Sequence, residues 1–193
     1  MRKQTFFKKI AISLLSLVAI FGLHSRVSAE GTSVFNSHPD DQPLITVKNI
    51  TEGETEYKSS TNAESDDILR FRLWIHNNVD GTYAENTIAR VAIPSGYSQE
   101  SLVQAFVSAD NASSISGAAR ALFSKLGRLE YQSGTTLVYS DVYGSGYIWP
   151  NDNLVSSGIN LGQVQGCWPY VIQISFEAKV VAQRQADNPK LTM

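Results

Sequence analysis

Cysteine is nearly absent from the 193-residue chain: Cys167 stands alone, so no disulfide can close within it. Beside Trp168, Tyr170 and Ile172, that thiol is expected to pack as a small hydrophobe. Histidine is also scarce. Of the three, His24 lies in an N-terminal leader, leaving His38 in a polar stretch and His76 at the end of a strand pattern. No G-x-S-x-G occurs, and Gly144-Ser145-Gly146 reads as a turn. Without a positioned base or nucleophile, no catalytic residue is expected and the chain reads as a non-enzyme. A calcium loop is lacking too. Asn77, Asn78, Asp80 and Gly81 miss the required spacing and the distal Glu, while Asp66-Asp67 and Asn151-Asp152-Asn153 fit turn chemistry. Neither a metal nor another cofactor is expected.

Basic clusters are missing from the body of the chain. The leader holds five of the 16 basic residues, so 11 Lys and Arg beyond it face 18 Asp and Glu, a net charge of −7. That balance argues against nucleic acid or anionic lipid as partner. After the leader no apolar stretch approaches the roughly 20 residues of a spanning helix.

What is present begins with export. Arg2, Lys3, Lys8 and Lys9 precede an apolar run from Ile10 to Leu23, and Val27-Ser28-Ala29 forms a small-residue cleavage site. Residues 1–29 therefore read as a signal peptide cleaved after Ala29, and the product as exported to the cell surface or medium. Residues 30–42 are expected to be a flexible segment, residues 43–182 a folded body, and residues 183–193 a polar tail.

The body is patterned in twos. From Leu69 to Ile75, Leu69, Phe71, Leu73 and Ile75 share one face, and Arg70, Arg72, Trp74 and His76 share the other. Ala89, Val91 and Ile93 alternate likewise, as do Val103, Ala105 and Val107. Ile172, Ile174, Phe176, Ala178 and Val180 give the clearest inward face. Thr51 to Asp66 reads as a polar connection in which Glu52, Glu54 and Glu56 are a solvated charge run. Asp141 to Gly158 reads as a long loop, and Ile159 to Val164 as a short edge strand. Ser116 to Leu126 is two-sided: Ala118, Ala119, Leu122, Phe123 and Leu126 fit helical spacing, while the all-β surroundings favour strand. Short alternating runs separated by Gly, Asn and Pro turns predict an all-β, antiparallel sandwich.

These stretches also carry a resemblance. Asp66-Asp67, the strand that follows, Asn77-Asn78, the second strand ending at Pro94-Ser95-Gly96, and the closing strand Tyr170 to Val180 resemble the DUF11-like (conserved repeat) immunoglobulin-like domains of bacterial surface proteins, in the single-domain type of candidate-phylum bacteria. The likeness covers most of residues 43–180. It implies an immunoglobulin-like β-sandwich outside the cell with an adhesive or scaffolding role, and a strand at Ser116 to Leu126.

Aromatic residues supply the one functional hint. Tyr143, Tyr147 and Trp149 cluster in the Gly-rich loop beside Asn151 and Asp152. Exposed, they would anchor a protein or a sugar at the cell envelope; folded back, they would cover the open end of the sandwich. Trp74 and Trp168 are expected to be structural.

Overall fold

The computed structural model describes residues 32–141 and 144–183. The fold is all-β and antiparallel, sandwich-like and open rather than closed into a barrel. Among the described residues the strands are β1 (Ile45–Asn49), β2 (Ser60–Ala63), β3 (Ile68–Ile75), β4 (Tyr83–Ala92), β5 (Ser98–Ala109), β6 (Ala112–Tyr131), β7 (Leu137–Ser140), β8 (Gly144–Ile148), β9 (Ile159–Gln165) and β10 (Ile172–Ala182). Single 3-10 turns occupy Asn153–Val155 and Trp168–Tyr170. The main path runs β1-β3-β10-β6-β5-β4-β9, with β2 beside β6, and β7 carrying β8 beside β10.

Alternation explains the packing. Leu69, Phe71, Leu73 and Ile75 of β3 are buried, as are Ile172, Ile174, Phe176, Ala178 and Val180 of β10. The β3–β10 register sets Phe71 opposite Phe176, and their rings stack at 5.1 Å and 10°. Such a pair adds about 1 kcal/mol beyond its area burial. The inward residues of β4, β5 and β6 are mostly small: Ala89, Val91, Val103, Ala105, Val107, Ala119 and Ala121. Large side chains on one layer against small ones on the other fill the interior without voids.

β6 joins the layers. Its first part pairs with β5, residues 120–123 pair in parallel with β2, and residues 127–131 pair with β10. Between these parts Ser124, Lys125 and Leu126 are exposed, and Gly127 lies against the Phe123 ring. The two-sided segment is thus a strand. Ala119, Ala121 and Phe123 point inward, whereas Leu122 and Leu126, two members of the helical stripe, are 37 % and 47 % exposed. The unpaired edge of β5 offered more hydrogen bonds than a short helix would have made.

Three expectations need correction. The polar connection contains β2, and the long loop contains β8, which pairs with β7. The leading segment is packed rather than flexible across its described part, residues 32–42: Phe35 is 3 % exposed, Ser33 N–H donates to Asn111 O at 3.2 Å, and Asn36 N–H donates to His76 O at 2.9 Å. The signal peptide lies outside the described residues, as does the tail beyond Gln183.

Candidate functional site

The outward face of β3 is the starting point. Arg70, Arg72 and Trp74 alternate away from the core, opposite Glu177, Ser175 and Gln173 of β10. Gln173 in turn stands opposite Tyr139 of β7. Tyr57, from the connection before β2, lays its ring over this face: Arg72 Cζ is 4.3 Å and Lys48 Nζ 4.7 Å from its centroid. Arg72 also lies 5.9 Å from the Trp74 ring. Two depressions result. One of about 180 Å³ is lined by Tyr57, Arg70, Arg72, Tyr139, Gln173 and Ser175. The other, of about 440 Å³, lies among Trp74, Tyr139, Asp141, Trp168 and Gln173. Because they share Tyr139 and Gln173 they form one shallow groove, open to solvent along its larger part.

Charge on this face is uneven. Arg70 pairs with Glu177 at 2.5 Å, and the carboxylate holds its guanidinium above the usual arginine value despite partial burial. Burial pulls Arg72 the other way, below that value, with Tyr57 opposing weakly. Arg72 Nε and Trp74 Nε1 are shielded from solvent and find no acceptor among the described residues.

A buried pair lies beneath Trp168, which lines the larger depression. His76 Nδ1 sits 2.7 Å from Asp41 Oδ1, the two side chains being 3 % and 4 % exposed. The other Asp41 oxygen accepts from His38 N–H at 2.8 Å and from Asn78 Nδ2 at 3.0 Å. Trp168 covers the His76 ring at 4.3 Å and takes the His38 ring edge-on at 5.3 Å. Its placement depends on Cys167, whose φ of 106° lies in the left-handed region and whose N–H donates to Asn77 O at 3.0 Å. Asn78 Nδ2 also lies 2.9 Å from His76 Nδ1, while His76 Nε2 is buried without a partner among the described residues. No hydroxyl or thiol among the described residues bonds Nε2. The pair is therefore arranged to hold the leading segment against the strand end.

Burial pushes Asp41 upward, but hydrogen bonds from His76, Asn78 and the His38 N–H, with the attraction of His76, outweigh it and hold the carboxyl below its ordinary 3.8. A depressed carboxyl stabilises the fold fully above that value, and the contribution drains away as pH falls through the lower folded-state value. Glu54 adds to the same acid limb, lowered by Asn49 N–H, Lys58 and Thr61 against the effect of burial. Thermal melting should show stability falling below about pH 4. Asp41→Asn should flatten that fall; an unchanged acid limb would show that Asp41 is not held as described.

No known family, curated protein or solved structure matches this chain. Its own geometry therefore carries the argument. Tyr143 lies outside the described residues. Tyr147 is 46 % exposed and meets Trp149 edge-on, at 6.1 Å and 88°. Trp149 packs against the core, so these two rings do not make a flat platform. Trp168, expected to be structural, is 42 % exposed and lines the groove, and Cys167 is only half-buried.

The turn residues serve the fold. Asn77 is wholly buried and links Ser33, Thr82 and Val164 O. Asp152 is held below the usual carboxylate value by Gly134 N–H, Ser133 and Tyr131. Asp67 accepts from Asn49 Nδ2 at 2.7 Å, and Asp66 pairs with Lys179. Among the described residues no three His, Cys, Asp or Glu side chains gather where a metal could sit. His76, at the end of a strand pattern beside a turn, is the buried partner of Asp41, a pairing across 35 positions that spacing does not reveal.

Proposed function

We propose that the chain is an exported module of the cell surface or extracellular space, which binds a protein or glycan of the envelope by surface complementarity, without turnover. The observation that carries this reading is the groove on the outward face of β3, β10 and β7, where the half-buried rings of Trp74 and Tyr139 and the exposed ring of Trp168 stand beside hydrogen-bonding side chains. Export is supported by the leader pattern of residues 1–29. The likeness to DUF11-like domains points the same way, toward adhesion or scaffolding. A second reading places a carbohydrate on the loop aromatics, favoured by exposed Tyr147 and its neighbour Ile148.

Electrophoresis through gels loaded with polysaccharide from the producing cell's envelope tests both readings. The protein should be retarded, and Trp74→Ala or Trp168→Ala should weaken retention about tenfold or more while the melting curve stays cooperative. Loss in Trp149→Ala alone would move the site to the loop. The product recovered outside the cell should begin at Glu30 by mass spectrometry; an intact leader would remove the export claim.

A further inference from the structure

Lys58, Arg70, Arg120, Arg128 and Lys179 each have a carboxylate within 4 Å. Lys48 and Arg72 have none among the described residues, and both lie on the ring of Tyr57. Arg90 and Lys125 also lack one, but Arg90 rests on Phe106 and Lys125 lines a separate small cavity at the β6 corner. In a chain with more acids than bases, two uncompensated cations at one aromatic ring form a local positive spot. Arg72 bears the larger penalty, since burial disfavours its charge and its Nε–H has no acceptor among the described residues.

The rest of the groove narrows the ligand further. Trp74, Tyr139 and Trp168 offer apolar ring surface, and Gln173, Ser175 and Ser140 add polar groups; Asp141 lines the larger depression, while no carboxylate among the described residues lines the smaller one at Arg72. A sugar chain offers an apolar C–H face and hydroxyls on every unit, matching that combination of rings and polar groups. An extended peptide has less to gain. The groove lies over β3 and β10, each flanked on both sides, so no strand edge is open to peptide backbone.

We infer that the groove binds an acidic polysaccharide, its sugar rings on Trp74, Tyr139 and Trp168 and a carboxylate at Arg72 and Lys48. This rests on the binding reading given above. Affinity electrophoresis of the whole protein is run in gels containing polygalacturonate, dextran, poly-glutamate or the envelope polysaccharide. Polygalacturonate should retard the protein, neutral dextran should not, and poly-glutamate should act weakly. Added salt should reduce the retardation. Arg72→Gln should weaken binding to polygalacturonate about tenfold, and Lys48→Gln less, because a hydrogen bond to a charged group outweighs an exposed ion pair. Lys48→Gln lies at the surface and keeps the test valid should Arg72→Gln fail to fold. Equal retardation by dextran would overturn the acidic requirement, and equal retardation by poly-glutamate would overturn the sugar requirement. Binding to envelope polysaccharide but not polygalacturonate would overturn the ligand class alone. Binding to none of the four would overturn the groove as a site as well.

Discussion

Gly166→Ala should destabilise the protein by about 3 kcal/mol or more, lowering the melting temperature by roughly 10 °C. A Cβ at residue 166 would stand 1.8 Å from Val79 O and 2.6 Å from Val79 C. Backbone blocks it, so no side chain can swing aside. Nor can the 77–82 turn retreat freely. Thr82 Oγ1 donates to Val79 O at 2.7 Å, Val79 N–H donates to Asn77 Oδ1 at 3.3 Å, and Gly166 N–H itself donates to Thr82 O at 2.9 Å. The strand must therefore shift or the turn must break. Either would disturb Cys167 and Trp168, so groove binding should weaken together with stability. A variant with an unchanged urea midpoint would show that the turn does not lie over Gly166.

Asn77→Ala should cost about 3 kcal/mol, and Asn78→Ala about half as much, although the two look alike as turn residues. Asn77 is wholly buried. Its amide donates to Ser33 Oγ at 3.3 Å, Thr82 Oγ1 at 3.2 Å and Val164 O at 3.2 Å, while its carbonyl oxygen accepts from Val79 N–H. Alanine removes all four bonds at once from a wholly buried position and leaves a void where the amide stood. The bonds Asn78 makes to Ser37 are at the surface, where water replaces them, which leaves its partly buried bond to Asp41 at 3.0 Å as the loss that counts. Chemical denaturation of both variants decides the matter. Equal losses would contradict the assignment of Asn77 as the buried link between the leading segment and the edge of the sheet.

The strands that could be read were those whose inward residues alternate without interruption. β3 and β10 are of this kind, and their partners could be inferred because each needs a second layer to cover it. β2 and β8 escaped notice because their side chains carry little apolar pattern: STNA and GSGYI hold their places through backbone pairing with β6 and β7. In residues 116–126 the local preference pointed to helix, and the empty edge of β5 decided otherwise.

The candidate site was half legible. Arg70, Arg72, Trp74 and His76 already occupied one face of a strand pattern. What turned that face into a groove arrived from far along the chain: Tyr57 from a polar connection, Tyr139 from a short strand, and Trp168 from a turn held by a cysteine in the left-handed region. Spacing carries no information about such meetings. Asp41 was hidden for the same reason. In sequence it is one more acid in a polar stretch, and its contact with His76 is one of those that fix that stretch to the strand end.

The three tryptophans report on the groove most directly, because each gives one indole N–H resonance. Titrating the isotope-labelled protein with a short galacturonate oligomer should shift the signals of Trp74 and Trp168 and leave that of Trp149 in place. Saturable movement of Trp149 alone, or saturation with all three signals still, would contradict the account.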